Sequence, residues 1–208
     1  MINTPIAYLT MTHKPMLARN AVINAIQQSY QNDGNCVYLI HQEKQAYPID
    51  TEGAIKVVES VVEGKWASLF MQKIGRFLDL VKEPVTVIWD EDDRFEYGYV
   101  LKALIRLANH EAAYNYWNIF VDAKGFHYRK HRECWGTMVV KTDVLREAHH
   151  AASRMYPKLV KIGGEPLDSV MRKIIMSQYD IIPHNGVRYF FQWDGASTRR
   201  DVEVEIHG

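Results

Sequence analysis

Four consecutive acidic residues, Asp90-Glu91-Asp92-Asp93, follow directly after the apolar run 85–89. Carboxylates this close repel one another, and removal from water strengthens the repulsion. A hard divalent cation with oxygen ligands relieves it. Because side chains at i and i+2 of an extended segment point to one side, Asp90 and Asp92 can face one cation. The pattern predicts a site for Mn²⁺ or Mg²⁺ whose open positions accept phosphate oxygens of a ligand.

A solvated acidic loop is the alternative interpretation of this segment, because such loops are common on soluble proteins. The position of the acidic residues favours the metal site. In sheets of parallel strands, ligands bind where the carboxyl ends of the strands and their loops converge. The run 85–89 has the composition of a buried strand, and the acidic residues come at its carboxyl end.

The segments before and after this run alternate between the two patterns of regular structure. Apolar runs predict strands, whereas apolar residues at a spacing of three to four predict helices. Strands alternating with helices indicate an α/β fold with a mostly parallel central sheet that helices flank on both faces. The predicted strands of the first half are 6–10, 36–40 and 85–89, and the predicted helices are 18–30, 55–62, 66–81 and 100–108.

The second half is less regular. Thr142 is a plausible N-cap for the helix that begins at Asp143, and Gly163-Gly164-Glu165-Pro166 precedes a further helix that extends to about residue 178. The predicted strands here are 116–121, 126–129, 137–140 and 187–193.

Composition indicates one soluble domain. The 208 residues are 47% hydrophobic and 24% charged, and 25 basic residues balance 25 acidic ones. This balance gives no overall attraction for a polyanion, so charge does not indicate DNA or RNA. Cys36 and Cys134 are isolated, which favours reduced thiols over a disulfide or a zinc site. Without a signal-like start or an apolar run of about 20 residues, we expect a cytoplasmic protein with no membrane anchor.

The order of these segments resembles glycosyltransferase family 2 and its relatives with the GT-A fold. Residues 6–12 are similar to the family's first strand, and 24–32 to the "S-I-L-x-Q-T-Y-x-N" end of its first helix. Residues 87–95, V-I-W-D-E-D-D-R-F, resemble the metal-binding "F-L-D-D-D-D-x-F" region, which is the most specific match. Residues 136–145 resemble the acceptor-side segment, and 164–168 the "G-x-E-D" stretch that supplies the catalytic base.

The resemblance covers residues 6 to about 195 in the same order, with two departures. The family's second strand ends in "D-D-G-S", whose aspartate binds the nucleotide base, whereas this chain has His41-Gln42-Glu43-Lys44. The resemblance therefore leaves open which nucleotide base the donor carries. The family's "E-D" is Glu165-Pro166 here, and the next carboxylate is Asp168. Which of the two carboxylates is the base also stays open.

The resemblance implies a single GT-A domain over residues 1–208, in which 1–97 bind the nucleotide sugar and 98–208 form the acceptor side. It implies a metal-dependent transfer of a sugar from a nucleoside diphosphate sugar to an acceptor hydroxyl, with inversion. The residues expected to bind the donor are Thr10, Thr12, Gln42, Asp90, Glu91 and Asp93; the metal ligands are Asp90, Asp92 and His184; and the catalytic base is Glu165 or, as second choice, Asp168.

Each assignment has a plainer alternative. Glu165 at a helix start could merely favour the helix dipole, Thr10 and Thr12 could be strand-end hydroxyls, and His184 could lie on the surface. A nucleotidyltransferase would also suit an acidic strand end, although the loop after the first strand lacks the glycines of a phosphate loop. A non-catalytic module that binds nucleotide sugars is a second rival function. The acceptor could be a saccharide, a protein or lipid head group, a small molecule or a modified nucleobase in DNA.

Overall fold

The computed structural model describes residues 3–12, 17–42, 51, 53–63, 66–91, 93–121, 127–130, 135–161 and 167–191. In these ranges the chain forms nine strands and five helices. In chain order the elements are β1 (Ile6–Thr12), α1 (Ala18–Ile26), β2 (Cys36–His41), β3 (Lys56–Val61), α2 (Trp66–Leu80), β4 (Val85–Ile88), β5 (Asp93–Phe95), α3 (Tyr99–Leu107), β6 (Ala112–Val121), β7 (His127–Lys130), β8 (Met138–Lys141), α4 (Thr142–Lys161), α5 (Leu167–Gln178) and β9 (Ile181–Phe191).

One sheet contains all the strands, in the order β3-β2-β1-β4-β8-β6-β9-β5, with β7 paired to β6. The strands β3, β2, β1 and β4 are parallel to one another. The other side is mixed, because β8 runs antiparallel to both of its neighbours while β6 and β9 are parallel. The expected central sheet of an α/β fold is present, and its parallel part is the half that comes first in the chain.

Helices cover both faces of the sheet, as the sequence predicts. On one face α2, α4 and α5 pack over a core that includes Ile74, Phe77, Leu145 and Met171. On the other face α1 and α3 pack over a second core that includes Tyr8 and Trp89, whose rings stack with centroids 4.7 Å apart. The strands β1 and β4 contribute apolar side chains to both cores, because successive residues of a strand point to opposite faces of the sheet.

Two predicted elements differ in kind from the observed ones. Residues 55–62 have a helical spacing, but 56–61 form the strand β3, paired in parallel with β2. Val57, Val58 and Val61 are β-branched, which favours a strand and outweighs a short periodic signal. The acidic turn is also shorter than predicted, because Asp93 already belongs to β5, which pairs with β9.

Other differences concern boundaries. The strand β9 begins at Ile181, six residues before the predicted start, because Pro183 and Gly186 interrupt its pattern. The pairing of β6 with β9 shifts register there, between Asn115 and Trp117, and such irregularities are where strands accept proline and glycine. The predicted strand 137–140 begins one residue later, after the 3₁₀ turn Trp135–Thr137.

The predicted cap of α4 has a different role. Thr142 is the first residue of the helix, but its hydroxyl donates to the backbone carbonyl of Glu83 at 2.7 Å and contacts the Thr86 hydroxyl at 2.9 Å. Thr142 therefore fixes α4 to the start of β4. Cys36 is buried and reduced, and Cys134 lies outside the described residues. Among the helices of the described ranges, none has the length and apolar character needed to cross a membrane.

Candidate active site at the carboxyl ends of β1 and β4

The strand order creates a crevice beside β1. From β1 the chain moves to β2 and β3 on one side, then returns through α2 to β4 on the other side. The connections at the carboxyl ends of β1 and β4 therefore lead in opposite directions, and such a point is where ligands bind in open α/β sheets. Thr12 ends β1, and Asp90 follows β4 after Trp89.

The acidic turn at this crevice contains both exposed and buried carboxylates. The side chain of Asp90 is 43% exposed, whereas that of Asp93 is completely buried. Glu91 is also buried, and Asp92 lies outside the described residues. Of the carboxylates that the structure describes here, Asp90 is thus the one with surface available to a ligand.

A buried arginine pairs with both ends of the turn. Arg188 lies in β9 and is 1% exposed. Its Nη2 donates to Asp90 Oδ2 at 2.8 Å, and the same nitrogen forms an ion pair with Asp93. Sequence reasoning missed Arg188, although a signal was available: arginine is almost never fully buried unless it is paired, and this one lies within a predicted strand.

A second buried cation approaches the turn from α2. Lys73 is 1% exposed, and its Nζ donates to the backbone carbonyl of Thr12 at 2.9 Å. Burial lowers the pKa of Lys73 to about 8, and the nearby Glu91 carboxylate opposes that shift. Three described carboxylates of the turn, Asp90, Glu91 and Asp93, therefore lie near two protein cations, which leaves one negative formal charge among these five groups. The mutual repulsion inferred from the sequence is thus partly relieved by the chain itself.

The turn is closed on another side by backbone. Gly136 lies in the 3₁₀ turn before β8, and a Cβ built on it would lie 2.5 Å from Asp90 Oδ2 and 3.2 Å from Arg188 Nη2. Any other residue would have to displace the ion pair. The hydroxyl of Tyr99 donates to the carbonyl of Thr137 at 2.6 Å and holds this 3₁₀ turn against α3.

A chain of hydrogen-bonded polar side chains connects the first three strands near their carboxyl ends. The Thr12 hydroxyl contacts His41 Nδ1 at 2.6 Å, and His41 Nε2 contacts a Glu59 carboxylate oxygen at 3.2 Å. Burial lowers the pKa of His41, although Glu59 opposes that shift. In the neutral ring the carboxylate partner assigns the proton to Nε2, so that Nδ1 accepts from the Thr12 hydroxyl. Sequence reasoning placed Thr12 here but missed His41 and Glu59 as its partners.

The remaining donor-binding predictions are differently placed. Gln42 is half-buried and directly follows β2, at the same edge of the sheet as Thr12. Thr10 lies deeper in β1 and is completely buried, with no hydrogen-bond partner for its hydroxyl among the described residues. The structure therefore brings Thr12, Gln42 and Asp90 to one edge of the sheet, although Thr12 is itself buried there, and Thr10 lies deeper along β1.

His184 lies in β9 rather than in a terminal loop. It is four residues before Arg188, roughly 13 Å along the strand at the usual rise per residue. Its ring packs edge-on against Tyr99, and Nδ1 accepts from the Gly186 N–H at 3.0 Å. Burial lowers the pKa of His184 to about 3, and the cations Lys102 and Arg106 lower it further. Among the described residues, no hydrogen bond or ion pair joins His184 to the acidic turn, and its role as a metal ligand stays a prediction.

Glu165 lies outside the described residues. Asp168 is the second residue of α5, and only its backbone is described.

Asp90 is the described carboxylate of the turn at which a divalent cation could bind. Asp90 keeps an exposed carboxylate, and oxygen ligands of this type suit Mn²⁺ and Mg²⁺. Asp93 and Glu91 are buried beside protein cations. In the part of the chain that the structure describes, no group of three or more histidine, cysteine, aspartate or glutamate side chains could hold a metal ion.

Comparison by sequence gives no relative: no family model matches the chain, and no curated protein matches it. Comparison by structure does. A mannosyltransferase from Pyrobaculum calidifontis, solved with GDP-Man and Mn²⁺, is 15% identical with a TM-score of 0.57, over 96% of this chain and 59% of its own. TarS (residues 1–349) from S. aureus, solved with UDP, is 10% identical with a TM-score of 0.62, over 90% and 60%.

GalNAc-T7, solved with UDP, GalNAc and Mn²⁺, is a third match. It is 9% identical with a TM-score of 0.60, over 94% of this chain and 46% of its own. All three proteins are glycosyltransferases of the GT-A type.

This chain has the GT-A glycosyltransferase fold. It spans about half to three-fifths of the length of the glycosyltransferases that it matches. The fold predicted from the resemblance to glycosyltransferase family 2 is thereby confirmed. The individual site residues stay predictions.

Proposed function

We propose that this protein is a metal-dependent glycosyltransferase that moves a sugar from a nucleoside diphosphate sugar to an acceptor hydroxyl, with inversion. The observation that carries the proposal is the position of Asp90. A half-exposed carboxylate follows β4 at the point where the strand order reverses, in a sheet with the GT-A fold. In this proposal residues 1–97 bind the donor and residues 98–208 form the acceptor side.

The cation belongs to the proposal as well. Two of the compared glycosyltransferases were solved with Mn²⁺ together with a nucleotide or nucleotide sugar. In this chain Asp90 and Asp92 would hold Mn²⁺ or Mg²⁺. When bound, such an ion neutralises the diphosphate and stabilises the departing nucleoside diphosphate. The net negative charge that Lys73 and Arg188 leave on the described carboxylates of the turn favours a cation.

The chain's own residues bind and orient the donor. Thr12 and Gln42 lie at the ends of β1 and β2, where a nucleoside would lie beside the crevice. Because His41 accepts its proton, the Thr12 oxygen presents lone pairs to a donor N–H or O–H. Asp93 and Glu91 support the turn from inside. Thr10 would act only from beneath Thr12, and His184 stays the proposed third metal ligand.

Proton removal from the acceptor hydroxyl requires a base on the other side of the sugar. Glu165 is our first choice and Asp168 our second: Asp168 is the second residue of α5, and Glu165 precedes it by three residues in the sequence. The acceptor class stays open among saccharides, proteins, lipid head groups, small molecules and modified nucleobases.

A thermal-shift screen of nucleotide sugars tests the proposal. A ligand that binds only the folded state raises the melting temperature by mass action. We expect one class of nucleoside diphosphate sugar to raise it with Mn²⁺ and to lose that effect with a chelator or in Asp90→Ala. A protein that no nucleotide sugar stabilises, under either condition, would contradict the proposal.

A further inference from the structure

The side chain of Arg188 connects the two ends of the acidic turn. One guanidinium nitrogen pairs with Asp90, which is 43% exposed, and with Asp93, which is completely buried. Arginine suits this role because its planar, permanently charged fork fixes the direction of each partner, whereas lysine offers a single mobile ammonium. The orientation of the Asp90 carboxylate therefore depends on where β9 holds Arg188.

Backbone contacts fix the other participants. The strand β5 pairs with β9 so that Asp93 lies opposite Phe190 and Phe95 lies opposite Arg188. The carbonyl of Asp93 also accepts from the Asn24 amide at 2.8 Å. Asp93 is thus anchored by main chain on β9 and by α1, whereas Asp90 is held to β9 only through the guanidinium. Loss of Arg188 would release Asp90 before Asp93.

Gly136 makes this arrangement sterically possible. The space that a Cβ would fill at this position is occupied by Asp90 Oδ2, at 2.5 Å, and by Arg188 Nη2, at 3.2 Å. A methyl group there would push the carboxylate away from the guanidinium without removing any charge. The chain therefore offers two independent ways to disturb one ion pair.

We propose that Arg188 is a positioning residue for the cation site: it holds Asp90 in the orientation that a divalent cation needs, in the space that Gly136 leaves free. The inference rests on the proposed function, since it concerns the same metal site. It differs from a simple role in charge balance. A guanidinium that acted only as a counter-charge would compete with the metal, so its removal would tighten metal binding.

Binding of Mn²⁺ alone, without nucleotide, separates the two roles. We would measure the Kd of Mn²⁺ by electron paramagnetic resonance for the parent, Arg188→Met, Arg188→Lys and Gly136→Ala. Arg154→Met, at an exposed position on α4, is the matched control. Melting curves and circular dichroism restrict the comparison to folded variants. Residues that orient metal ligands typically contribute 10- to 100-fold to metal affinity or activity.

We expect about 10- to 100-fold weaker Mn²⁺ binding in Gly136→Ala and in both Arg188 variants, and an unchanged Kd in Arg154→Met. Gly136→Ala decides the matter if the Arg188 variants do not fold, because it keeps every charge. Parent-like or tighter Mn²⁺ binding in folded Gly136→Ala or Arg188→Met overturns the positioning role and leaves the proposed function standing. A parent that binds no Mn²⁺ overturns the metal site itself, and with it the role of Arg188.

Discussion

The acidic turn joins two halves of the sheet that are built differently. On one side, β3, β2, β1 and β4 are parallel and end together at the crevice. On the other side the strands are mixed, and their contribution to the turn is the buried Arg188. Asp90 follows the parallel half and stays half-exposed, whereas Asp93 begins the mixed half and is buried. Carboxylates three residues apart in one turn thus divide into an exposed group that can bind a ligand and a buried group that anchors the turn.

The strongest way to break this division is to remove the exposed carboxylate. We expect Asp90→Ala to lower turnover by at least about 10³-fold, because a catalytic metal supplies several kcal/mol and each 1.36 kcal/mol is tenfold in rate. The melting temperature should change by only a few degrees, since Asp90 is 43% exposed and the buried Arg188 keeps Asp93 as a partner. Steady-state kinetics and melting curves measure both effects. Asp143→Ala, exposed on the first turn of α4, is the control, and turnover of Asp90→Ala within a few fold of the control would contradict the division.

Substitution of the proposed catalytic base on the acceptor side should give the next largest loss of activity. We expect Glu165→Gln to lower kcat by roughly 10²- to 10⁴-fold while donor affinity stays near that of the parent, because the amide keeps the shape and loses the basicity. Single-turnover kinetics with separate donor titrations measures the two quantities. Asp168→Asn is the matched variant. A normal Glu165→Gln beside an inactive Asp168→Asn would reverse our order of the two residues.

The buried carboxylate should affect stability more than Asp90 does. We expect Asp93→Asn to lower the free energy of unfolding by about 3 kcal/mol, because it breaks a buried ion pair and leaves Arg188 with one carboxylate. Asp90→Asn should lower it by less than about 1 kcal/mol. Urea unfolding of the two variants measures the difference. Equal losses in both would mean that burial does not distinguish the two ends of the turn.

The smallest effect, when expressed per pH unit, comes from His184 in the mixed half. Its pKa is lowered to about 3 in the folded chain and is near 6.5 when unfolded, so the unfolded chain binds the extra proton between those values. Stability should therefore fall as the pH falls from about 6.5 towards 3, by up to about 1.4 kcal/mol per pH unit from this group. His184→Gln should flatten that slope, whereas exposed His150→Gln should not. Unfolding titrations at several pH values measure the slopes, and parallel slopes in parent and His184→Gln would rule the effect out.

The two halves also differ in how far the sequence predicts them. Local signals predict β1, β2, α2 and β4, because each is a continuous apolar strand or a long amphipathic helix. They do not predict β3, whose edge position is set by pairing with β2. Nor do they predict the full length of β9, where Pro183 and Gly186 interrupt a strand that pairing with β6 maintains.

The site shows the same limit. The acidic turn can be predicted from the sequence because its residues are adjacent in the chain and follow a predicted strand. Arg188 and Lys73 are distant from it in sequence and reach it only through the sheet order and the packing of α2. Their burial and contacts follow from tertiary structure, which a single sequence does not display.

Calorimetric titration of nucleoside diphosphates is the most direct test of the central claim. Uridine, guanosine, adenosine and thymidine diphosphates would each be titrated with Mn²⁺ and with chelator. Without a cation, a diphosphate meets the net negative charge of the turn, and like charges about 4 Å apart repel by about 4 kcal/mol at an effective dielectric near 20. We predict that at least one of these diphosphates binds with Mn²⁺ and that its affinity falls at least about tenfold with chelator. Equally tight binding in chelator would contradict the assignment of the acidic turn as the diphosphate side of a glycosyltransferase site.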